Sequence, residues 1–189
     1  MTAQLWMVRH GPTEWARNGR HTSRTDLPLL PDGEERARAL ADRLAGTAFA
    51  LVLTSPRLRA RRTAELAGFA DAEVVPDLQE WDYGTYEGLT TPEIRELVPG
   101  WSVWTHGAVA ADGESAEEVA ARLDRVVARV RETDGRVLVF GHGHALRALA
   151  ARFLGEPVAF GSRLALDTAT LSVLGYEHGV DPVIERWNA

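Results

Sequence analysis

Two histidines, each followed by glycine and each closing a short apolar run, are the residues of this chain best placed to do chemistry. Arg9-His10-Gly11 follows Leu5 to Val8, and His142-Gly143-His144 follows Val137 to Phe140. Imidazole serves as nucleophile, general base or metal ligand near neutral pH. A third apolar run, Ala50 to Thr54, stops at Ser55-Pro56 and carries Arg59 one turn beyond, within the cluster Arg57, Arg59, Arg61 and Arg62. Such a cluster is either a solvated helix face or an anion site, depending on what converges there. A lone histidine would be read as a satisfied buried polar group. Two His-Gly strand ends with arginines beside them favour an anion-handling site, since the planar guanidinium grips phosphate oxygens bidentately. The competing reading is a metal centre, because His10, His142 and His144 with nearby carboxylates suffice for zinc or manganese. Arg9 and Arg59 would repel a cation placed between them.

Composition narrows the choice. The chain has 189 residues, 45% hydrophobic and 25% charged, with a formal net charge of −6, which is the balance of a globular domain. Cysteine is absent and every one of the 21 basic residues is arginine. Without cysteine there is no disulfide, iron–sulfur cluster, thiolate zinc site or cysteine nucleophile. Without lysine there is no Schiff base to pyridoxal phosphate and no P-loop lysine. Any phosphate chemistry therefore falls to arginine and histidine. The acidic balance argues against nucleic acid as a partner, and no apolar window has the length of a bilayer span. Gln4 to Val8 follows the first residues with no basic, signal-like lead, so a cytoplasmic protein without membrane partners is expected.

The elements that position these residues alternate between strand and helix. Strands are expected at Leu5–Val8, Ala50–Thr54, Glu73–Val75, Val137–Phe140, Leu171–Gly175 and Pro182–Trp187, with Leu171–Gly175 at an edge that could pair in a homodimer. Asp32 with Glu35 resembles a capping box before Ala37, Leu40, Ala41 and Leu44. Ser55 with Pro56 resembles an N-cap and first turn for a helix reaching about Leu66. Ser115 with Glu118 is a second capping box, opening a helix with the inner stripe Val119, Leu123, Val126, Val127 and Val130. A further helix should run from Ala145 to Leu154. The alternation implies one α/β domain over 1–189, a three-layer sandwich around a mostly parallel sheet. In such sheets ligands sit beyond the carboxyl ends of the strands. The stretch Tyr83 to Gly113, with Tyr86, Trp101 and Trp104, is too long for a plain connection and reads as an insertion or lid.

Taken in order along the chain, the motifs resemble the histidine phosphatase superfamily, the phosphoglycerate mutase-like branch 1, and within it its acid phosphatase-like members. They are Arg9-His10-Gly11 with Thr13, Trp15 and Gly19-Arg20; Thr54-Ser55-Pro56 with Arg59-Ala60 and Thr63-Ala64; Leu78 to Gly84 with Glu87-Gly88; Gly113-Glu114-Ser115; and His142-Gly143 with Arg147. The resemblance implies a phosphoglycerate mutase-like fold and a phosphomonoesterase acting through a phosphohistidine on His10. Arg9, Arg59 and His142 would surround the phosphoryl group, and Glu80 would be the general acid and base. Asp82 and Glu87 compete with Glu80 by residue type alone. Thr13, Thr22, Ser23, Tyr83 and Gly143 would contact a small phosphorylated substrate, a sugar phosphate or phosphoglycerate. No metal or other cofactor is implied. Pro12 stands where the family often has glutamate, and Ala16 where it commonly has asparagine. His21, Arg24 and His106 either bind a second anionic group or lie at the surface. The alternative activity is a cofactor-dependent phosphoglycerate mutase, disfavoured by the shortness of the chain.

Overall fold

The computed structural model describes residues 3–189. Among them, six strands form one sheet: β1 (Gln4–Arg9), β2 (Leu51–Thr54), β3 (Glu73–Val74), β4 (Arg136–Gly141), β5 (Leu171–Glu177) and β6 (Asp181–Arg186), in the order β3-β2-β4-β1-β5-β6. The first four are parallel, while β5 runs antiparallel to β1 and β6 antiparallel to β5. The sheet is thus mixed, a parallel half with a hairpin added at one side. β5 lies between β1 and β6, not at the edge expected for Leu171–Gly175, and β6 takes the edge. The reason is the turn. His178 and Gly179 both have positive φ, the geometry that folds two strands back on each other across the short loop between Glu177 and Asp181.

Helices cover both faces: α1 (Glu14–Asn18), α2 (Pro31–Leu44), α3 (Leu58–Leu66), α4 (Thr91–Leu97), α5 (Val103–His106), α6 (Ala116–Glu132) and α7 (Gly143–Phe153). Side chains alternate through the sheet with period two. Leu5 and Met7 of β1 and Val137 and Val139 of β4 pack with Val119, Leu123 and Val127 of α6 and Leu149 of α7. Val8, Leu138 and Phe140 turn the other way, onto Leu40 and Leu44 of α2 and Ala64 of α3. No helix among the described residues is long and apolar enough to cross a membrane.

Of the three expected helix caps, one is formed as expected. Ser115 accepts from the Glu118 amide at 3.1 Å, and the Glu118 carboxylate accepts from the Ser115 amide at 2.8 Å. The other two differ. α2 begins at Pro31, whose fixed φ suits a first helical position, with Leu30 at the N-cap; Asp32 instead pairs with Arg17 at 2.6 Å. α3 begins at Leu58 with Arg57 at its N-cap, because the Ser55 hydroxyl turns inward to His142. The stretch from Tyr83 to Gly113 holds α4 and α5 and buries Tyr86, Ile94, Trp101 and Trp104 against the α6 side of the core.

Candidate active site

The carboxyl ends of β1, β2 and β4 meet because all three are parallel neighbours. Register pairs Arg9 with Gly141, so His10 and His142 emerge side by side, their rings 5.2 Å apart and edge to face. The backbone of His10 donates to the Gly141 carbonyl at 3.0 Å, extending the ladder one residue. Its Nδ1 lies 2.7 Å from the Gly11 carbonyl, a partner that can only accept. Nδ1 therefore carries the proton, and Nε2 is left with a lone pair, the form a nucleophile needs. Burial first, then the charges of Arg59 and Arg9, hold the His10 imidazole well below its ordinary range, so it is neutral. The loop that fixes it is tight. The Gly11 amide donates to Thr63 Oγ1 at 3.0 Å, and Thr63 donates onward to the Arg59 carbonyl at 2.7 Å. A Cβ on Gly11 would stand 2.6 Å from the Gly33 carbonyl oxygen, so only glycine lets β1 and α2 approach this closely.

Around His10 the buried donors are incompletely used. Arg9 donates from Nη1 to the Leu166 carbonyl, and Arg59 donates to the carbonyls of Thr25, Thr22 and Ser23 at 3.1, 3.0 and 3.3 Å. Yet Arg9 Nε, Arg57 Nε, Arg59 Nε and His142 Nδ1 are buried without a hydrogen-bond partner among the described residues. Buried polar atoms normally find partners, so a cluster of orphaned nitrogens is a site built for a ligand rich in acceptors. The two guanidiniums beside His10 suit an oxyanion such as a phosphoryl group and oppose a metal cation.

Glu80 faces this cluster from the segment after β3. Its Oε1 accepts from the amides of Trp81 and Ala145 at 2.9 and 2.7 Å, and Oε2 accepts from the His144 amide at 3.1 Å, so the start of α7 holds the carboxyl group in place. The segment itself hangs on an ion pair that sequence reading missed. Arg122 Nε lies 2.8 Å from Glu114 Oε1, and the same guanidinium donates to the carbonyls of Asp77, Gln79 and Glu80 at 2.7, 2.9 and 3.3 Å. A signal existed: Arg122 interrupts the inner apolar stripe of α6. The rivals of Glu80 are otherwise engaged. Asp82 pairs with Arg24, and Glu87 accepts from the amides of Ser23 and Thr25 at 2.9 and 2.7 Å.

A cavity of about 240 Å³ opens over His10, lined among others by Arg9, Glu80, Thr22, Tyr83, Gly143 and Ala16. Thr22, Tyr83 and Gly143, expected at the substrate, are there. Thr13 and Ser23 are not in its lining. Thr13 caps α1 by accepting from the Ala16 amide at 3.2 Å, and the buried Ser23 hydroxyl lies 3.1 Å from Glu87. Arg59 and His142 lie behind the lining, fully buried. Ala16 gives the wall no polar group where the resemblance implied an amide. His21, His144 and Arg147 complete the outer wall, with the Tyr83 hydroxyl 2.6 Å from His144 Nδ1, whereas His106 is exposed. A larger cleft of about 530 Å³ lies at the amino ends of β1 and β4, lined by Gln4, Phe49 and Arg136, away from this chemistry.

Burial lowers His142 and His144 well below the ordinary histidine range and takes His21 to about 4. Below pH 6.5 the unfolded chain binds protons that these folded imidazoles refuse, so stability must fall as pH drops. For His21 alone the loss reaches about 3 kcal/mol by pH 4. The expected result is a melting temperature that falls from pH 7 to pH 5 in buffers of equal ionic strength. A flat profile would show that these histidines take up protons in the folded state.

A neutral imidazole with a free Nε2, beside two guanidiniums whose Nε atoms lack partners among the described residues and faced by a carboxyl group, has the chemistry that phosphoryl transfer requires. Residues 5–189 match the model of the histidine phosphatase superfamily (branch 1), and the chain belongs to that family. An acid phosphatase of Mycobacterium tuberculosis is 46% identical over 182 residues, covering 94% of this chain and 88% of that protein. Sedoheptulose 1,7-bisphosphatase of Saccharomyces cerevisiae is 36% identical over 188 residues, covering 82% and 69%. A solved open reading frame product of Mycobacterium tuberculosis superposes with a TM-score of 0.92 at 40% identity, over 100% of this chain and 98% of that one. Proteins named as probable phosphoglycerate mutases also match, at 30 to 32% identity. The expected fold is borne out, and so, through the family and its named phosphatases, is the expected class of phosphoric monoester hydrolase.

Proposed function

We propose that this chain hydrolyses small organic phosphate monoesters through a phosphohistidine on His10. His10 Nε2 attacks phosphorus while Arg9, Arg59 and His142 hold the equatorial oxygens. Glu80 in its protonated form gives its proton to the departing alkoxide oxygen. As a carboxylate it then takes a proton from the water that attacks the phosphohistidine, releasing inorganic phosphate and restoring His10. The observation that carries this reading is the free Nε2 of His10 with the orphaned nitrogens of Arg9, Arg59 and His142 close by. A cavity of about 240 Å³ suits a small substrate, and Thr22, Tyr83 and Gly143 are placed to touch it. A sugar phosphate or phosphoglycerate fits best, in keeping with the names of the relatives. We also propose a cytoplasmic setting and a homodimer pairing through β6, to be checked by fractionation and sedimentation. We read Tyr83–Gly113 as the wall of the substrate site.

The mutase alternative keeps one argument in its favour. The chain covers 86% of the length of one probable mutase, so shortness does not separate the two activities. The deciding test is brief incubation with ³²P-labelled phosphomonoesters, trapping in alkali, and release of label by acid, followed by assays with and without 2,3-bisphosphoglycerate. Expected are an acid-labile phosphoprotein and hydrolysis that survives exhaustive chelation. Cofactor-dependent isomerisation with negligible hydrolysis would overturn the assignment, and loss of activity on chelation would reinstate a metal.

A further inference from the structure

Ser55 is wholly buried at the end of β2, its hydroxyl 2.6 Å from Nε2 of the equally buried His142. The same oxygen accepts from the Arg57 amide at 3.3 Å. His142 Nδ1 has no hydrogen-bond partner among the described residues. Two tautomers of a neutral His142 are possible, and hydrogen-bond counting separates them. If Nε2 carried the proton, Ser55 would accept twice and its own hydroxyl hydrogen would be buried without an acceptor, beside a bare Nδ1 lone pair. If Nδ1 carries it, Ser55 donates to Nε2, accepts from Arg57, and only one group is left over, the Nδ1–H. That group is a donor, and it lies in the cluster that also holds the orphaned Nε atoms of Arg9 and Arg59. Leaving one more buried polar group unmet disfavours the other tautomer by about 5- to 150-fold.

We infer that Ser55 is a positioning residue that fixes His142 as the Nδ1–H tautomer, so that a neutral imidazole presents Nδ1, not Nε2, as a donor to the phosphoryl oxygens. The inference rests on the phosphoryl-transfer reading of the site. The Ser55-Pro56 pair, which the sequence presented as a helix cap, serves the chemistry instead. Because the second histidine donates while uncharged, His142 needs no proton from solution to do so.

The first measurement needs no variant. Nitrogen-15 spectra of the imidazoles in the ¹⁵N-histidine-labelled wild-type chain, with His142 assigned through its loss in His142→Asn, should show a protonated Nδ1 and a bare Nε2. A protonated Nε2 overturns the inference. The second uses Ser55→Ala, which keeps the volume nearly constant. Its kcat should fall about 10- to 100-fold with KM nearly unchanged, less than the 10²- to 10³-fold expected when a transition-state donor is lost outright. Ser55→Thr, which restores the hydroxyl, should recover most of it. In a His142→Asn background Ser55→Ala should have no further effect, because its action runs through His142. An equal fall in both backgrounds, or unchanged kcat in the single variant, refutes the positioning role. Failure to trap phosphate on the wild-type chain would instead refute the phosphoryl-transfer reading and leave the tautomer result standing.

Discussion

His10→Ala should lose turnover by about 10⁴-fold or more while remaining folded, the scale seen when an enzyme's covalent nucleophile is removed. Three observations set the size. His10 Nδ1 is committed to Gly11, so the nucleophilic lone pair is on Nε2 and no other atom of the residue can replace it. The remaining hydroxyls of the cavity wall are poor substitutes. Tyr83 is pushed well above the usual phenol range by burial, the Thr22 hydroxyl donates to the Arg20 carbonyl, and Thr91 has beside it only His21, a weak base lowered by burial to about 4. The phosphoryl-binding donors survive the substitution, so His10→Ala should still bind inorganic phosphate or vanadate. The measurement is kcat by phosphate release, with phosphate affinity by calorimetry on the same sample. Full activity would sink the assignment of His10, and a loss of activity paired with lost phosphate binding would make it a binding residue instead.

Arg122→Ala is expected to destabilise the fold by about 3–5 kcal/mol, the range for breaking a buried ion pair by removing one partner. Arg122 is 6% exposed. Its guanidinium pairs with Glu114 and gathers three carbonyls of the Asp77–Glu80 segment. Alanine leaves the Glu114 carboxylate with only the Asp82 amide and takes the Arg122 donor from all three carbonyls at once. For a chain of this size the melting temperature should fall by about 6–20 °C. Activity at a temperature where the variant is still folded should also drop, because the carbonyl of Glu80 loses its tether and the carboxyl group shifts. Replacing both charges, as Arg122→Met with Glu114→Gln, should be less damaging than Arg122→Ala alone. A single variant that melts within a degree or two of the parent would show that water replaces the pair freely.

Much of the site was legible because its residues occupy points where a one-dimensional pattern breaks. Arg9-His10-Gly11 and His142-Gly143 end apolar runs, and polar groups at the carboxyl ends of parallel strands have one common destination. Arg59 was legible for the same reason, one turn beyond β2. Ser55 was seen but misread, since the sequence Ser-Pro satisfies the chemistry of a helix start equally well, and only the neighbouring β4 supplies the histidine that draws the hydroxyl inward. Thr13 and Ser23 were expected at the substrate, yet their hydroxyls serve α1 and Glu87. Loop side chains are aimed by long-range partners that spacing does not encode.

Sequence alone determined the chemistry available. With neither lysine nor cysteine, phosphate must be met by arginine and histidine, and the strand–helix alternation brings them to the carboxyl ends of the parallel strands. Tertiary structure decided the protonation and reach of those groups. The His10 proton sits on Nδ1 through a bond to neighbouring Gly11, whose amide is in turn held by distant Thr63, while a carboxyl group tied to the start of α7 and a segment hung on Arg122 arise from contacts between residues far apart in the chain. Residue type fixes what a side chain can donate or accept. Which of those bonds it makes depends on the partners that folding brings within 3 Å or so of it.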